Sequence, residues 1–598
     1  MQEIKEYLKN VIKNLYNLDF DPEIMAAPEN IDADYSSNTP LKLAKELKKS
    51  PMQIAEEIVA WTGDATGGTP AARSREASTV GEAVAAGPVQ SISAPGFLNF
   101  KLNDNYLFEQ INKLNEDFTG EIASNEFVGK TVICEFSDPN PFKVLHVGHL
   151  YTSIVGDSIS KLFEYAGAKV IRANFGGDVG LHVAKTMYIL QQKPIENLTI
   201  EDIAKCYVEG TNAYETDETA KEEITKLNKE IYKINAEGIT RTGDANRGTP
   251  KMFAEGEILG DNSRQDPSES SLADLYWKGR ELSYEYFENF YNSIGVKFDK
   301  YYPESTVAAL GLETVKRELE NGVYEMSDGA VIFDGEKFGL HTRVFINKEG
   351  VPTYEAKDVG LIFTKWQDYH FDKSVIITAS EQLEYMKVVL KSIEQYAPEL
   401  VEKTSHLTHG LVKLPGNEKM SSRKGNFLKA VDVLDMVKNE LKSAYDSSDE
   451  KVSLAATKYA FLKYKMGGDI IFDPKESVKM TGNSGPYLLY SAVRAKKILL
   501  KNTNKDSVEN YIYNIYEKNL IKKILEYKNT LAEAIKEMAP HKIANYLYEL
   551  AQEFSRFYEN CQVSGSDEEQ ERLKLVKVYL DTMTHGLNIL GIKIPEEM

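Results

Sequence analysis

The sequence predicts a multidomain α/β protein with a doubly wound parallel sheet at its centre. Three observations carry that reading. The chain has 598 residues, too many for one hydrophobic core. The short apolar runs Thr131–Phe136, Lys169–Asn174 and Val375–Thr378 have the length and content of buried parallel strands. A helical pattern from Ser153 to Tyr165, stopped by Gly167, separates the first two, which is β-α-β order.

The elements follow in order. Residues 1–118 form a first unit of α+β type: helical spacing over Ile4–Leu18 and Leu41–Val59, then a strand-like ending, Gly96–Phe100. Residues 119–405 hold the parallel sheet. Residues 406–465 form a loop-bearing region, and residues 466–598 a helical bundle, since helical periodicity dominates from about residue 450 to Leu590. Hydrophobic residues make up 42% and charged residues 27%, as in an ordinary soluble protein. No apolar run reaches the ~18 residues of a membrane span. The start, Met1–Glu6, is polar and unlike a targeting peptide, so the expected compartment is the cytoplasm, with no membrane partner. The three cysteines, Cys134, Cys206 and Cys561, form no Cys-x-x-Cys, so neither a zinc site nor a disulfide framework is expected, and Cys134 reads as a small core residue.

The net charge of −20 argues mildly against a nucleic-acid partner. Phosphate binding, however, needs a local basic surface rather than a basic average. Two local clusters exist: Lys413, Lys419, Arg423, Lys424 and Lys429 in one loop region, and Arg494, Lys496, Lys497 and Lys501 near a helical stretch. Each alone also reads as a solvated face.

Two stretches differ from their surroundings. Thr62–Gln90 is rich in Ala, Gly, Thr and Ser and lacks Lys, Ile, Leu, Phe and Tyr; Ala236–Ser270 is rich in Gly, Asp, Ser and Glu. Both contain Thr-Gly-Asp-Ala-x-x-Gly-Thr-Pro, at Thr62–Pro70 and at Thr242–Pro250. Such composition buries little apolar surface, and a shared pattern in two unrelated domains points to a common inserted loop. A phosphate-loop reading is disfavoured because no Gly-Lys-Ser/Thr follows.

Two motifs carry chemistry. The first is His146-Val147-Gly148-His149, at a strand-turn-helix junction, where backbone N–H groups and the helix dipole suit a phosphate. Gly148 lets an adenine or ribose approach, and His146 and His149 can donate to triphosphate oxygens as negative charge develops. The same two histidines could instead bind a metal, but no third ligand is evident, and no metal site is expected. The second is Lys419-Met420-Ser421-Ser422-Arg423-Lys424, flanked by Gly416 and Gly425. Lys419, Arg423 and Lys424 can clamp the β- and γ-phosphates while pyrophosphate leaves.

Together, in this order, the two motifs resemble the signatures of class I aminoacyl-tRNA synthetases. Their neighbours resemble the arginyl family in particular: Glu135-Phe136-Ser137-Asp138-Pro139-Asn140, Gly177-Asp178-Val179-Gly180, Leu411–Pro415, Gly482–Tyr490, Leu550–Phe554 and Phe557–Cys561. The resemblance spans nearly the whole chain apart from the two inserted stretches. It implies a Rossmann-type catalytic domain, an N-terminal domain that contacts the tRNA elbow (Phe97 and Asn99 being candidates), and an all-α anticodon-binding bundle. It implies an enzyme that joins L-arginine to tRNA(Arg) using ATP and Mg2+, through arginyl-adenylate, with tRNA bound before activation.

The fourth position of the mobile loop, Lys in most of the class, is Ser422 here. Arginyl enzymes with that loss resemble this chain in carrying a Lys three residues before the first histidine, and Lys143 stands there. The resemblance thus gives Lys143, His146, His149, Lys419, Arg423 and Lys424 catalytic roles, and His146, Gly148, His149, Met420, Ser421 and Ser422 to ATP. It assigns arginine binding to Glu135, Asn140, Tyr354, Asp358 and Gln382. Glu135 and Asn140 would meet the amino and carboxylate end, Tyr354 and Asp358 the guanidinium, and Gln382 would close the pocket. Tyr354 and Asp358, four apart, share one helical face. A planar guanidinium suits bidentate carboxylate recognition as an ammonium does not. Tyr487, Tyr490, Arg494, Phe554 and Tyr558 are the candidates for contact with anticodon bases. A monomer is expected. Another class I synthetase and a non-catalytic RNA-binding relative are the alternatives.

If both inserted stretches are neutral, deleting either leaves kcat for charging tRNA within about twofold of the full chain, a comparison that steady-state aminoacylation makes directly.

Overall fold

The computed structural model describes residues 2–28, 31, 33–63, 89–93, 95–193, 195–242, 271–416, 428–500 and 511–598. The chain divides into two compact units. One comprises Met1–Ala123, Ser491–Ala532 and Tyr546–Thr584; the other comprises Ser124–Tyr490, Glu533–Asn545 and His585–Met598. The inserted patterns fall largely on residues 64–88 and 243–270, outside the described residues; the helix Glu218–Thr242 runs into the stretch read as a loop from residue 236.

In the first unit, helices Gln2–Tyr16, Thr39–Leu47 and Pro51–Gly63 turn their apolar faces, including Leu8, Val11, Leu43, Ile54 and Ile58, into one core with Leu98 and Phe100. The core covers a four-stranded antiparallel sheet built from Met25–Ala26, Tyr35–Ser37, Val89–Ser93 and Phe97–Phe100. The single helical run expected over Leu41–Val59 is two helices. Lys48 takes a left-handed φ of 54° and Pro51 opens the second helix, so the backbone stops and restarts between them. Ion pairs Lys518–Asp104 (2.8 Å) and Lys522–Asp34 (3.0 Å) tie the N-terminal segment to the helix Ile515–Leu525 within this unit.

The second unit holds the parallel sheet. In chain order its site-building elements are β1 (Thr131–Glu135), α1 (Val147–Tyr165), β2 (Lys169–Gly176), α2 (Leu181–Gln192), β3 (Lys300–Pro303), α3 (Glu304–Glu320), α4 (Tyr354–Tyr369), β4 (Lys373–Ala379), α5 (Leu383–Glu394) and β5 (Thr404–His409). The strand order is β5-β4-β1-β2-β3, with every neighbouring pair parallel. Val132, Ile133, Cys134 and Val375 are wholly buried, as near-continuous apolar strands require when both faces are covered. Burial pushes the Cys134 thiol up to about 12, so it is an inert core group.

From β1 the chain passes to β2 on one side, while β4 lies on the other. The strand order therefore reverses between β1 and β4, and a crevice opens beyond their carboxyl ends, where doubly wound sheets bind ligands. Helix α1 begins at Val147 rather than at Ser153. A histidine caps it and another stands in its first turn, interrupting the apolar period, yet Leu150, Tyr151 and Ile154 bury it behind the sheet.

Helices α3 and α4, which carry Glu304 and Asp358, pack closely against each other. A Cβ at Gly311 would stand 1.9 Å from the Ala356 carbonyl oxygen, and one at Gly360 would stand 2.2 Å from that of Val307. The backbones thus touch, and Glu304 at the start of α3 reaches Lys357 of α4 at 2.7 Å. Gly311→Ala or Gly360→Ala should therefore separate the helices, costing about 1–3 kcal/mol of stability and raising KM for the ligand of this crevice. Urea unfolding of the variants, paired with steady-state kinetics, reads both effects.

Candidate functional site

The chain leaves β1 through a tight segment that ends in α1. Ser137, Asp138 and Phe142 all adopt positive φ (73°, 49° and 66°), which non-glycine residues hold only when their surroundings compel it. The surroundings do so. Ser137 Oγ lies 2.9 Å from the Tyr291 hydroxyl, Asp138 Oδ1 accepts from the Phe175 N–H at 2.8 Å, and the Phe142 N–H donates to Ser283 Oγ at 2.9 Å. This anchoring presents Asn140, whose Oδ1 accepts from the Gly177 N–H at 2.9 Å.

His146 is the N-cap of α1. Its Nδ1 accepts from the Gly148 N–H at 3.1 Å, while Nδ1 of His149 accepts from the His146 N–H at 3.1 Å. The rings stack at 3.8 Å. Because both Nδ1 atoms accept, both protons sit on Nε2. Burial first, then Lys143 and His409, lowers His146 to about 4; burial and the adjacent His146 hold His149 well below the ordinary value. Both rings are therefore neutral Nε2–H donors. Gly148 is required by the cap itself, since a Cβ there would meet the His146 ring at 2.9 Å. Lys143 lies over the Tyr207 ring at 4.9 Å.

The second motif, Lys419, Met420, Ser421, Ser422, Arg423 and Lys424, lies outside the described residues, but its two ends do not. On one side, Val412–Lys413 pairs with Ile470–Ile471. On the other, the Val147 N–H donates to the Leu428 carbonyl at 2.9 Å and the Ala430 N–H to that of Leu145 at 3.0 Å. The chain that leaves the loop is thus stitched to the turn bearing the histidines.

Across the crevice, Tyr354 opens α4 and is 58% exposed, while Asp358 one turn later is 8% exposed. Gln382 is exposed just beyond the end of β4. Burial, then repulsion from Glu135 and Glu304, raises the Asp358 carboxyl to about 7, against the Tyr385 hydroxyl that donates to it. Glu304 is buried and paired with Lys357, and burial raises its carboxyl against that cation. Glu135, 3% exposed, is held by the fully buried Lys365 at 2.6 Å. Asp138, enclosed beside Glu135, is pushed well above the usual carboxylate range by burial. The result is an acidic crevice with four carboxyl groups and two internal ammonium groups, matched to a cationic ligand.

Reasoning from the sequence missed Asp138, Glu304, Lys357, Lys365 and Tyr385. Asp138 stood inside a motif already singled out, Lys357 lies between Tyr354 and Asp358, and Tyr385 lies three residues after Gln382. Glu304, at a strand-helix junction, carried the weakest signal. Asp178, in Gly177–Gly180, serves the framework instead. It accepts from Arg280 Nε at 3.1 Å and Ser305 Oγ at 2.8 Å, pinning the start of α3.

The base-contact candidates divide. Tyr490 and Tyr558 are exposed (41% and 42%), Tyr487 is half-buried, and Arg494 lies over the Tyr558 ring at 4.5 Å. Phe554 is wholly buried and stacked on Tyr579 at 3.9 Å, so it belongs to the core and is withdrawn as a base contact. Asn99 is likewise buried, accepting from Ser36 Oγ at 2.8 Å.

Imidazole NMR of the full chain should show His146 and His149 with the proton on Nε2 and no titration from about pH 8 down to about pH 5, the signals being assigned by His146→Asn and His149→Asn. Since the unfolded chain takes up a proton near 6.5 and the folded one only near 4, His146 makes the fold less stable as pH falls through that window.

Comparison with known proteins gives three family matches in chain order. These are the arginyl tRNA synthetase N terminal domain over residues 2–63, the class I (R) tRNA synthetase catalytic domain over 112–243 and 247–472, and the DALR anticodon binding domain over 488–598. An arginine–tRNA ligase of Flavobacterium psychrophilum is 29% identical over 533 residues, covering 84% of this chain and 85% of the relative. One of Borrelia hermsii is 28% identical and covers 100% of this chain and 99% of the relative. The solved arginyl-tRNA synthetase of Thermus thermophilus shares the fold, with a TM-score of 0.74 at 21% identity over 100% of both chains. With its catalytic-domain match alone spanning more than half of the sequence, the chain belongs to the arginyl-tRNA synthetase family of the class I synthetases.

Proposed function

We propose that the crevice between β1 and β4 performs the family's reaction, the ATP-dependent joining of L-arginine to tRNA(Arg), with the residues named above in particular roles. The observation that carries this reading is the stitching of Leu428–Ala430 to Leu145–Val147. It brings the root of the cationic loop to the turn that bears two neutral imidazole donors, so both can serve one triphosphate.

In the first step an oxygen of the arginine carboxylate attacks the α-phosphorus of ATP. The bond from that phosphorus to its bridging oxygen breaks, and pyrophosphate leaves with the electron pair. In the second step a hydroxyl of the terminal tRNA ribose attacks the arginyl carbonyl, the bond from that carbon to the phosphate oxygen breaks, and AMP leaves with the electron pair while the hydroxyl proton passes to the departing phosphate. Nε2–H of His146 and His149 donates to phosphate oxygens, while Lys143, with Lys419, Arg423 and Lys424, supplies positive charge as pyrophosphate departs. Met420, Ser421 and Ser422 line the same loop. No covalent enzyme intermediate is needed; positioning and charge accelerate the reaction.

Asp358 takes the guanidinium, with Tyr354 against it and Glu304 adding negative charge nearby. Asn140 faces the amino and carboxylate end, and Gln382 closes the mouth. Glu135, locked to Lys365, acts through the charge balance of the pocket. Among the described residues no group of three or more His, Cys, Asp or Glu could hold a metal ion. Magnesium is proposed to ride on the phosphates, where it neutralises charge, as this ion commonly does, and no step here runs through it. Tyr487, Tyr490, Arg494 and Tyr558 are proposed to meet tRNA bases. The same reading takes the enzyme as a cytoplasmic monomer; no described helix is long and apolar enough to cross a membrane.

Pyrophosphate exchange with tRNA present, run with each of the twenty amino acids, should respond to arginine alone; a response to another amino acid overturns the reading. Lys143→Ala should lower kcat about 100-fold or more with KM for arginine little changed. Asp358→Asn should instead raise KM for arginine about 100-fold or more.

A further inference from the structure

We propose that Tyr385 is a positioning residue for arginine selection: its hydroxyl donates to Asp358 and favours the carboxylate form that receives a guanidinium. This rests on the reading of Asp358 as the guanidinium ligand and goes beyond it.

The need for such a group follows from what surrounds Asp358. Glu135 faces it from β1, Asp138 from the segment after β1, and Glu304 from α3; all three disfavour its charge. Two buried lysines of α4 could offset them, but each has a partner. Lys365 is held by Glu135 at 2.6 Å and Lys357 by Glu304 at 2.7 Å. Among the described residues, the Tyr385 hydroxyl of α5 makes the one hydrogen bond to the Asp358 carboxylate. A phenol that donates there stabilises the ionised form above all, because a protonated carboxyl accepts far less well.

Tyr385 is itself fixed. The Arg343 guanidinium lies over its ring at 5.2 Å and is tied to Glu355 at 3.2 Å. Burial and the carboxylates around it, Asp358 and Glu355 foremost, raise the Tyr385 hydroxyl well above its ordinary value, so it stays a donor at any working pH. Asp358 then lies near the middle of its titration, at about 7. An incoming guanidinium completes the ionisation. An amino acid with a neutral side chain does not, and meets a pocket that reprotonates.

The test is the pH dependence of KM for arginine in aminoacylation by the full chain and by Tyr385→Phe. In the unaltered enzyme KM should fall as pH rises through about 7 and then level off. The variant keeps the ring and loses the donor. Its midpoint should move up by about one pH unit, so KM rises about fivefold at pH 7 and about ninefold at pH 6, the gap closing above about pH 8.5. KM for ATP should stay as it was. Asp138 lies close by, but among the described residues the hydroxyl bonds Asp358 alone, so a moved midpoint assigns the titration to Asp358. Tyr385→His, which restores an N–H donor, should recover part of the shift. An unmoved midpoint, or a KM raised equally at every pH, overturns the proposal while leaving Asp358 as the arginine ligand. An Asp358→Asn enzyme with ordinary KM for arginine overturns the underlying reading and the proposal with it.

Discussion

Everything at the end of this crevice where β1 meets α1 depends on one reciprocal contact, the cap that His146 and His149 make on helix α1. Each ring spends its Nδ1 on a backbone N–H that the helix would otherwise leave without a partner. That single choice fixes both tautomers, stacks the rings, forbids a side chain at Gly148 and leaves two Nε2–H donors. Structure and chemistry are therefore not separable here. A residue that merely donated to phosphate would not start the helix, and one that merely capped it would not donate.

The amino-acid end obeys a different constraint. Glu135, Glu304 and Asp358 are buried close together with half-buried Asp138 beside them, and four such carboxylates cannot all be charged without cations. Lys365 and Lys357 supply two, but as fixed partners of Glu135 and Glu304. The pocket is left with carboxyl groups whose charge is incomplete, and in the proposed reading a guanidinium is the ligand that completes it. Selectivity on this view comes from an unbalanced interior as much as from matching donors to acceptors. The close passage of α3 against α4 at Gly311 and Gly360 holds the helices that carry Glu304 and Asp358 together.

The parts of this arrangement legible in the sequence are those with local signatures. The β-α-β grammar of residues 131–174 is a matter of apolar period, His146 and His149 sit in a compact motif, and Asp358 is reached only through the family resemblance. The start of helix α1 is hidden because His146, Gly148 and His149 interrupt the apolar period there, so it is read only from Ser153 onward. The run Leu41–Val59 looks like one helix because the break at Lys48 interrupts the backbone but not the spacing of apolar residues. Phe554 is ambiguous in principle, since an aromatic on an amphipathic helix faces core or solvent according to packing that one helix cannot reveal. Glu304, Lys365 and Tyr385 are invisible because their meaning lies in partners 53, 230 and 27 residues away.

The division of charge between the two signature segments has a catalytic logic. Neutral imidazoles bind a phosphate through hydrogen bonds that strengthen as the oxygens gain charge, so they favour the transition state over bound ATP. Fixed cations attract the ground state almost as strongly, and a site built only of lysines would hold ATP without hastening its cleavage. Burial at the mouth of β1 keeps His146 and His149 uncharged, and nearby Lys143 reinforces this by disfavouring a second positive charge. In the proposed mechanism Lys143 therefore does two things with one ammonium group. It supplies the cation that Ser422 no longer can, and it keeps its neighbours neutral.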